Sequence, residues 1–355
     1  MAKKKKKRQD VRTRDWRDKH EFAFTHDRVR HRRAVANVSD AAPQAPLPTA
    51  FEPNAVVIAH AKKWAFVQHD GTERLCKIDE RLVEQDTTLL APGDRVLVES
   101  DGEDWFVRGV APRRTRLCRP APGYSRVREQ VFAANVDILI VVASVAQPPF
   151  RPGLVDRYLI AAQVCGVEPL LCVNKMDLVG TAPLLPEIDA YQNLGVRVFP
   201  TSCVTGQGIE DLRDALRGKT AVLSGHSGVG KSSLLNVMDP NLRLLTDEVS
   251  ATTGRGKHRT TAARLFELAG DIRIIDTPGI RALGLWRVSP AEVSYYFPEL
   301  AEASSGCHFR NCTHTHEPDC AVRDAVAQDR IPKIRYDSYL RIRASLECEK
   351  ARDHE

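Results

Sequence analysis

The segment GHSGVGKSS has the residue types and spacing of a phosphate-binding loop. Its glycines let backbone N–H groups turn toward a β-phosphate, Lys231 can bridge the β- and γ-phosphates, and the Ser232 hydroxyl can ligate Mg²⁺. The apolar run TAVLS precedes the segment and SLLNVM follows it, as a strand and a helix should. A glycine-rich turn without a ligand is the alternative. The predicted nucleotide contacts in this loop are Gly225, His226, Ser227, Gly228, Val229, Gly230, Lys231, Ser232 and Ser233.

A second motif, NKMD, follows the apolar run PLLCV and indicates guanine recognition. The Asp177 carboxylate can accept hydrogen bonds from both the ring N–H and the exocyclic amine of guanine, a donor pair that adenine does not offer. Asn174 can bond the base edge, and the Lys175 stem can cover the base face. One predicted strand later, in the segment TSC, Ser202 and Cys203 are placed to offer backbone N–H groups to the guanine carbonyl. This motif comes before the phosphate loop, whereas most GTPases have the phosphate loop first.

A third motif, DTPG, ends the run DIRIID and completes the predicted nucleotide site. Asp276 can hold Mg²⁺ through a water, and the Gly279 N–H can sense the γ-phosphate. Many GTPases have a water-orienting Gln at the next position, but this chain has Ile280 there. We therefore expect another group, or a partner, to orient the attacking water.

The loop TTGRGKHRTTAARL is predicted to be the switch that closes on the γ-phosphate. Thr260 and Thr261 are candidate Mg²⁺ ligands. His258 is the only imidazole in the loop and is the candidate catalytic residue that positions or deprotonates water. Contact of His258 and Arg259 with nucleic acid is the alternative.

Three of the nine cysteines crowd into the segment CHFRNCTHTHEPDC, which predicts a metal centre. Three thiolates and one imidazole form a closed tetrahedral set, which is typical of structural zinc. His308 and His316 compete for the nitrogen position. The predicted zinc ligands are Cys307, Cys312, His314 and Cys320.

Composition places the chain among soluble multidomain proteins. It has 355 residues, 43% of them hydrophobic, without an apolar run of 18 residues or a secretory signal, so we expect a cytoplasmic protein with reduced thiols. The net charge of +6 is concentrated in residues 1–50, which hold fourteen Lys or Arg against six Asp or Glu. A basic tail favours a nucleic-acid partner, although a solubilising tail is equally consistent with charge alone. Further basic residues favour the same partner: Arg113, Arg114, Arg116, Arg119, Lys333, Arg335, Arg341 and Arg343.

The order of apolar patterns predicts four regions. Residues 1–50 read as a tail and linker, and residues 51–115 as a small all-β barrel of a size that suits an OB-fold among other barrels. In residues 120–285, apolar strands alternate with helices, which predicts a parallel doubly wound sheet. Residues 286–355 contain short helices, the Cys/His segment and a final basic helix.

Taken in chain order, the motifs NKMD, TSC, GHSGVGKSS, GKHRTT and DTPG and the Cys/His segment resemble the ribosome small subunit-dependent GTPase A family. The stretches AANVDILIVV, PPFRPGLVDRYL and IDTPGIRALGL resemble it as well. The resemblance implies a circularly permuted GTPase with an N-terminal OB-fold, a C-terminal zinc domain and a histidine before the switch threonines, here His258. It also implies a late-acting assembly factor that binds the 30S subunit and 16S rRNA, and whose GTP hydrolysis the small subunit stimulates.

Two positions depart from the family pattern. Arg259 replaces the first of three threonines after the histidine, which leaves the Mg²⁺ ligand open between Thr260 and Thr261. Gly228 stands where potassium-activated GTPases tend to have Asn, so no potassium dependence is predicted. We expect a monomeric GTP hydrolase that uses one Zn²⁺ and Mg²⁺ with GTP and does not bind membranes. A GTP-regulated RNA-binding scaffold and a permuted GTPase of the large subunit are the alternatives.

Overall fold

A computed structural model of the chain describes residues 50–61, 63–83, 90–120, 129–179, 186–242, 263–276, 285 and 287–352. These residues belong to one compact unit, Pro48–Glu355. The strands are β1 (Ala55–Ala61), β2 (Trp64–His69), β3 (Thr72–Ile78), β4 (Arg95–Asp101), β5 (Asp104–Val110), β6 (Arg116–Pro120), β7 (Glu129–Ala134), β8 (Ile138–Ser144), β9 (Glu168–Asn174), β10 (Arg197–Pro200), β11 (Thr220–Ser224), β12 (Arg264–Leu268) and β13 (Ile272–Asp276). The helices are α1 (Glu80–Val83), α2 (Pro152–Cys165), α3 (Pro186–Asn193), α4 (Ile209–Leu216), α5 (Lys231–Met238), α6 (Pro298–Ser304), α7 (Ala321–Ala327) and α8 (Lys333–Arg352).

The first five strands form a closed barrel in the order β1-β2-β3-β5-β4, in which β1 also pairs with β4. All pairs are antiparallel except β3 with β5. Alternate residues such as Val57, Val67, Cys76 and Val107 are fully buried, because successive side chains of a strand point to opposite faces. This order is that of an OB-fold, and it confirms the barrel prediction.

The central sheet has six strands in the order β10-β9-β8-β11-β13-β12. Every pair is parallel except β12 with β13, so the sheet has one antiparallel edge that the sequence pattern did not reveal. All residues of β8 and β11 are buried. A sheet covered on both faces requires such continuous apolar strands, and the doubly wound prediction is confirmed.

Helices pack on the two faces of this sheet in separate cores. On one face, α2 and α3 contribute Tyr158 and Tyr191, and on the other, α4 and α5 contribute Leu212 and Leu234. Residues of α8, including Tyr339, belong to the same core as α2. The C-terminal module, residues 287–352, therefore packs on the α2 face. Among the residues that the structure describes, no helix is both long and apolar enough to span a membrane.

Candidate functional site

The guanine motif, the phosphate loop and Asp276 lie at one edge of the central sheet. Strands β8, β9, β10, β11 and β13 are parallel, so their carboxyl ends lie together. Ser144 of β8 pairs with Asn174 of β9, and Ser224 of β11 pairs with Val141 of β8. The segments that follow β9 and β11 are NKMD and the phosphate loop. Open parallel sheets bind their ligands at this edge.

Two glycines allow the phosphate loop to lie close to its neighbours. Gly225 follows β11, and a Cβ there would overlap the carbonyl oxygen of Val142. Gly230 has φ +96°, and a Cβ there would overlap the side-chain amide of Asn174. Because glycine has no Cβ and tolerates positive φ, the loop can turn under the guanine motif without strain.

The phosphate loop ends where α5 begins at Lys231. The Lys231 ammonium donates hydrogen bonds to the carbonyl oxygens of Gly225 at 2.8 Å and His226 at 2.9 Å, so it lies over the loop. Ser232 and Ser233 occupy the next positions in the first turn of α5. N–H groups at the start of a helix carry partial positive charge, which makes this a suitable place for phosphate.

The guanine motif is joined directly to the phosphate loop. The Asn174 side-chain N–H donates to the Val229 carbonyl oxygen at 2.9 Å, and Asn174 is only 2% exposed. Lys175 follows in the left-handed conformation with φ +68°, and a short 3₁₀ turn then carries Asp177. The two motifs, 55 residues apart in the chain, are thus held together by one buried bond.

The segment after β10 orients Asp177. The Ser202 hydroxyl donates to the Asp177 carboxylate at 2.6 Å and accepts from the N–H groups of Val204 and Thr205 at 3.2 Å. The Ser202 N–H itself donates to Gln207 at 3.0 Å within the turn. In this structure the Ser202 N–H is therefore used inside the turn, contrary to its predicted role, and Ser202 acts on the site through its hydroxyl.

The neighbouring thiol of Cys203 completes the turn around the guanine motif. The thiol donates a hydrogen bond to the Asn174 side-chain oxygen at 3.5 Å. Burial raises the pKa of Cys203 above the ordinary thiol value, and this bond lowers it by less. A neutral thiol is therefore the form of Cys203 at neutral pH.

Asp276 ends β13 at the same sheet edge and pairs in register with Arg264 of β12. Its Mg²⁺ role stays a prediction. The other switch predictions, for His258, Thr260, Thr261 and Gly279, lie outside the described residues and stay predictions.

The predicted metal ligands converge in the C-terminal module. The Cys307 and Cys320 sulfurs each lie 3.5 Å from Nδ1 of His314, and 3.9 Å from one another. With Cys312, all four ligand atoms lie within 4.8 Å of one another. A tetrahedron with metal–sulfur bonds of about 2.3 Å has edges of about 3.8 Å, so this donor set fits a tetrahedral ion.

The two competing histidines lie outside this set. His316 is exposed, with Nδ1 2.8 Å from the Thr315 hydroxyl, and the exposed His308 ring contacts Phe309 edge-on. His314 is 3% exposed, and burial lowers its pKa, which favours the neutral imidazole that metals bind. The structure therefore favours His314 for the nitrogen position.

Side-chain contacts to the backbone hold the metal loop, residues 307–320, in place. The Tyr336 and Tyr339 hydroxyls of α8 donate to the carbonyl oxygens of His314 and Thr313, both at 2.6 Å. The Glu317 carboxylate accepts from the Thr313 N–H at 2.7 Å, and although burial raises the pKa of Glu317, the bonds from Thr313 bring it well below its usual range. These contacts position the loop in addition to the four ligand side chains.

Comparison with known proteins decides the family. The model of the RsgA GTPase family matches residues 110–286. The chain is 40% identical over 265 residues to the small ribosomal subunit biogenesis GTPase RsgA of Gemmatimonas aurantiaca, covering 72% of this chain and 84% of that protein. The chain belongs to the RsgA GTPase family. Another RsgA, from Chlorobaculum parvum, is 38% identical and covers 78% of this chain and 93% of its own.

Solved structures resemble this RsgA family member over most of its length. YjeQ from Thermotoga maritima has a TM-score of 0.65 at 29% identity and covers 83% of this chain and 98% of its own. YloQ, described as a circularly permuted GTPase, has a TM-score of 0.63 at 26% identity and covers 86% of this chain and 99% of its own. The barrel, the permuted sheet and the C-terminal module are therefore shared architecture.

Some predictions for basic residues of this RsgA family member need correction. Arg113 pairs with the buried Asp94 at 2.7 Å, and Arg335 is 3% exposed and pairs with Asp156 and Glu299. These guanidiniums are used inside the fold, so they do not support a nucleic-acid surface. The interactions of Arg335 were missed because its carboxylate partners are distant in sequence.

Proposed function

We propose that this protein is a GTPase that acts in late assembly of the 30S ribosomal subunit. The observation that carries the proposal is the buried bond from Asn174 to the Val229 carbonyl, which joins a guanine motif and a phosphate loop into one pocket in permuted chain order. Curated relatives named for small ribosomal subunit biogenesis support the assembly role.

In this proposal, each motif has a part in nucleotide binding. Asp177 and Asn174 select guanine, Lys175 covers the base, and Lys231 contacts the β- and γ-phosphates. The remaining phosphate-loop residues, Cys203 and the switch threonines would line the nucleotide. Ser232 and Asp276 would hold Mg²⁺, which neutralises charge that develops on the phosphates.

The catalytic assignment to His258 belongs to the same proposal. With Ile280 where a water-orienting Gln could stand, an imidazole is the group in the switch that can position water. A His258→Ala variant should bind GTP normally and hydrolyse it at least about 100-fold more slowly. An unchanged rate, with and without 30S subunits, would remove His258 from catalysis.

The C-terminal ligands are proposed to hold one structural Zn²⁺. Three thiolates and one imidazole leave no open position, so the metal would stabilise the loop rather than react. We propose that the barrel and the C-terminal module bind 16S rRNA, and that the protein works as a cytoplasmic monomer. A ribosomal partner supports the cytoplasmic compartment.

Multiple-turnover phosphate release with purified subunits tests the proposal. We expect 30S subunits to stimulate GTP hydrolysis and 50S subunits to leave it near the basal rate. A scaffold that uses GTP only as a structural ligand would show no turnover above background. Sedimentation with GMPPNP should place the protein with the 30S subunit, and migration with the 50S subunit would favour a large-subunit role.

A further inference from the structure

The loop between β8 and α2, residues 145–151, lies against the guanine motif. The Lys175 ammonium donates a hydrogen bond to the Gln147 carbonyl, and the Val145 N–H donates to the Asn174 carbonyl at 3.1 Å. A displacement of this loop would therefore change the positions of both Asn174 and Lys175.

The same loop runs into the first turn of α2, which other elements fix. The Tyr191 hydroxyl of α3 donates to the Pro152 carbonyl at 3.1 Å. One turn further along α2, Asp156 is 1% exposed and accepts a hydrogen bond from the guanidinium of Arg335. Arg335 belongs to α8, so the C-terminal module contacts the start of α2 directly.

Arg335 lies at the centre of a buried cluster. Its Nε donates to Glu299 of α6 at 2.6 Å, and its guanidinium lies 4.5 Å from the ring centre of Phe297 and 5.5 Å from that of Tyr191. Buried ion pairs are often no more stabilising than apolar side chains of the same volume. Stability therefore does not account for a cation shared by Asp156 and Glu299, whereas fixing the position of α8 on α2 does.

The same turn of α8 holds the metal loop. Tyr336, next to Arg335, donates to the His314 carbonyl, and Tyr339 donates to the Thr313 carbonyl. Neighbouring helix residues point about 100° apart, so one turn contacts two different elements. A shift of the metal loop that moves α8 therefore also moves Arg335, the charged partner of Asp156.

We propose that Arg335 is a positioning residue for the guanine pocket. We infer that it transmits the state of the C-terminal module to this pocket. The path runs from the metal loop through α8, Arg335 and Asp156 to residues 145–151 and Lys175. A nucleic acid bound at the C-terminal module would thereby change the affinity of the pocket for guanine nucleotides. This inference rests on the guanine site proposed above.

Equilibrium binding of fluorescent GDP to the full chain tests the role of Arg335. Coupling between sites usually corresponds to 5- to 150-fold in affinity, so we expect Arg335→Met to raise the Kd for GDP about tenfold and Arg335→Lys to raise it less. The KM for GTP should rise with the Kd while kcat changes less than about twofold, because the displaced groups bind the base.

Arg343→Met is the matched control for Arg335→Met. Arg343 lies two turns further along α8 and donates to the Pro290 carbonyl at 3.1 Å, so it supports the same helix by another contact. It should leave the Kd for GDP within about twofold of wild type. An equal rise in both variants, or an unchanged Kd in a folded Arg335→Met protein, would overturn the proposal.

A double-mutant cycle that combines Cys312→Ser with Arg335→Met tests transmission from the C-terminal module. We expect Cys312→Ser to weaken GDP binding in the wild-type background and to have no further effect beside Arg335→Met. Effects that multiply independently would contradict transmission through Arg335. If circular dichroism shows that Arg335→Met does not fold, Arg335→Lys and Asp156→Asn enter the same cycle and the same criterion applies.

Competition with ADP separates this inference from the guanine site itself. A wild-type protein that binds GDP and ADP equally would contradict the proposed guanine site. A wild-type preference for GDP, combined with unchanged affinity in the folded Arg335 variants, would contradict the transmission alone.

Discussion

Asp177 accepts a hydrogen bond from the Ser202 hydroxyl at 2.6 Å, and Ser202 is fully buried. A carboxylate has about four acceptor positions, so this bond leaves enough for both N–H donors of guanine. Ser202 is in turn oriented by the N–H groups of Val204 and Thr205. The choice of base thus depends on one side chain that two further layers of hydrogen bonds hold in place.

Exchanging this carboxylate for an amide should change the base that binds. In an Asp177→Asn variant, the amide N–H can donate to the second carbonyl of xanthine but cannot accept from the guanine amine. A hydrogen bond to a charged group contributes about 1.5–3 kcal/mol, so we expect the loss of this bond to raise the Kd for GDP about 10- to 150-fold. Equilibrium binding of GDP and XDP should show that the variant prefers XDP.

Ser202→Ala is the control at this position. It removes a bond that orients Asp177 but keeps the carboxylate, so GDP affinity should fall about fivefold while GDP is still preferred over XDP. An Asp177→Asn variant that binds GDP as tightly as wild type would contradict the guanine assignment.

At the scale of elements, Asp79 connects two strands of the barrel. It follows β3 and accepts hydrogen bonds from Arg81 at 2.9 Å and from Arg108 of β5 at 2.6 Å. The bonds from Arg81, more than those from Arg108, hold the pKa of Asp79 well below its usual range. An unfolded Asp titrates near a pKa of about 3.9, so the ionised carboxylate stabilises the barrel fully above about pH 5.

This stabilisation should be lost as the pH falls. Because the folded pKa lies below the unfolded one, protonation on acidification favours the unfolded chain, starting near the unfolded pKa and continuing to the folded pKa. We expect Asp79→Asn to be about 1–3 kcal/mol less stable than wild type at pH 7 in urea unfolding, with a smaller difference near pH 3. Asp70→Asn, in an exposed turn, is the control. A difference that stays constant from pH 7 to pH 3 would contradict this role.

The metal loop is the element whose stability should depend on an ion. Cys312→Ser removes one thiolate from the four-ligand set, so we expect loss of the bound zinc and faster proteolysis of the C-terminal module. Atomic absorption and limited proteolysis measure the two effects. Cys348→Ser is the matched control because Cys348 is exposed on α8, and it should keep its zinc. Full zinc content in Cys312→Ser would exclude Cys312 as a ligand.

The elements that were predictable from sequence are those whose signal is local. The runs TAVLS and SLLNVM, which were predicted as a strand and a helix on either side of the phosphate loop, lie in β11 and α5, because apolar patterns and flanking turns mark them. The β12–β13 and β6–β7 hairpins join segments that are close in the chain, but the apolar pattern did not show that these segments pair antiparallel. Nothing near Arg335 indicated that its partners are Asp156 and Glu299, because both carboxylates are distant from it in the sequence.

At the scale of the whole molecule, the loop before β4 attaches the barrel to the end of β7, which leads into β8 of the central sheet. The Ala134 N–H donates to Pro92 and the Asn135 side chain donates to Gly93, both at 2.9 Å. Gly93 has φ +90°, and a Cβ there would overlap the Ala134 carbonyl oxygen. The two regions thus approach closely enough to require glycine, which favours a fixed orientation of the barrel on the GTPase sheet.

Asp94 is the charged residue on which this attachment depends. It is 0% exposed and binds Arg113 through both carboxylate oxygens at 2.7 and 2.8 Å, and it also accepts from the Ala91 N–H at 2.7 Å. Arg113 lies between the barrel and the hairpin, so the pair joins the barrel to the segment that leads into the sheet.

Removing the charge of Asp94 should weaken the whole molecule. Breaking a buried ion pair by removing one partner costs about 3–5 kcal/mol, so Asp94→Asn should unfold at lower urea concentration. Glu168→Gln breaks an exposed pair with Arg197 and should cost less than about 1 kcal/mol, which makes it the control. If barrel orientation carries the response to the small subunit, folded Asp94→Asn should keep basal GTP turnover and lose most of its stimulation by 30S subunits. Stimulation equal to wild type would show that the ribosomal partner acts on the GTPase sheet without the fixed barrel.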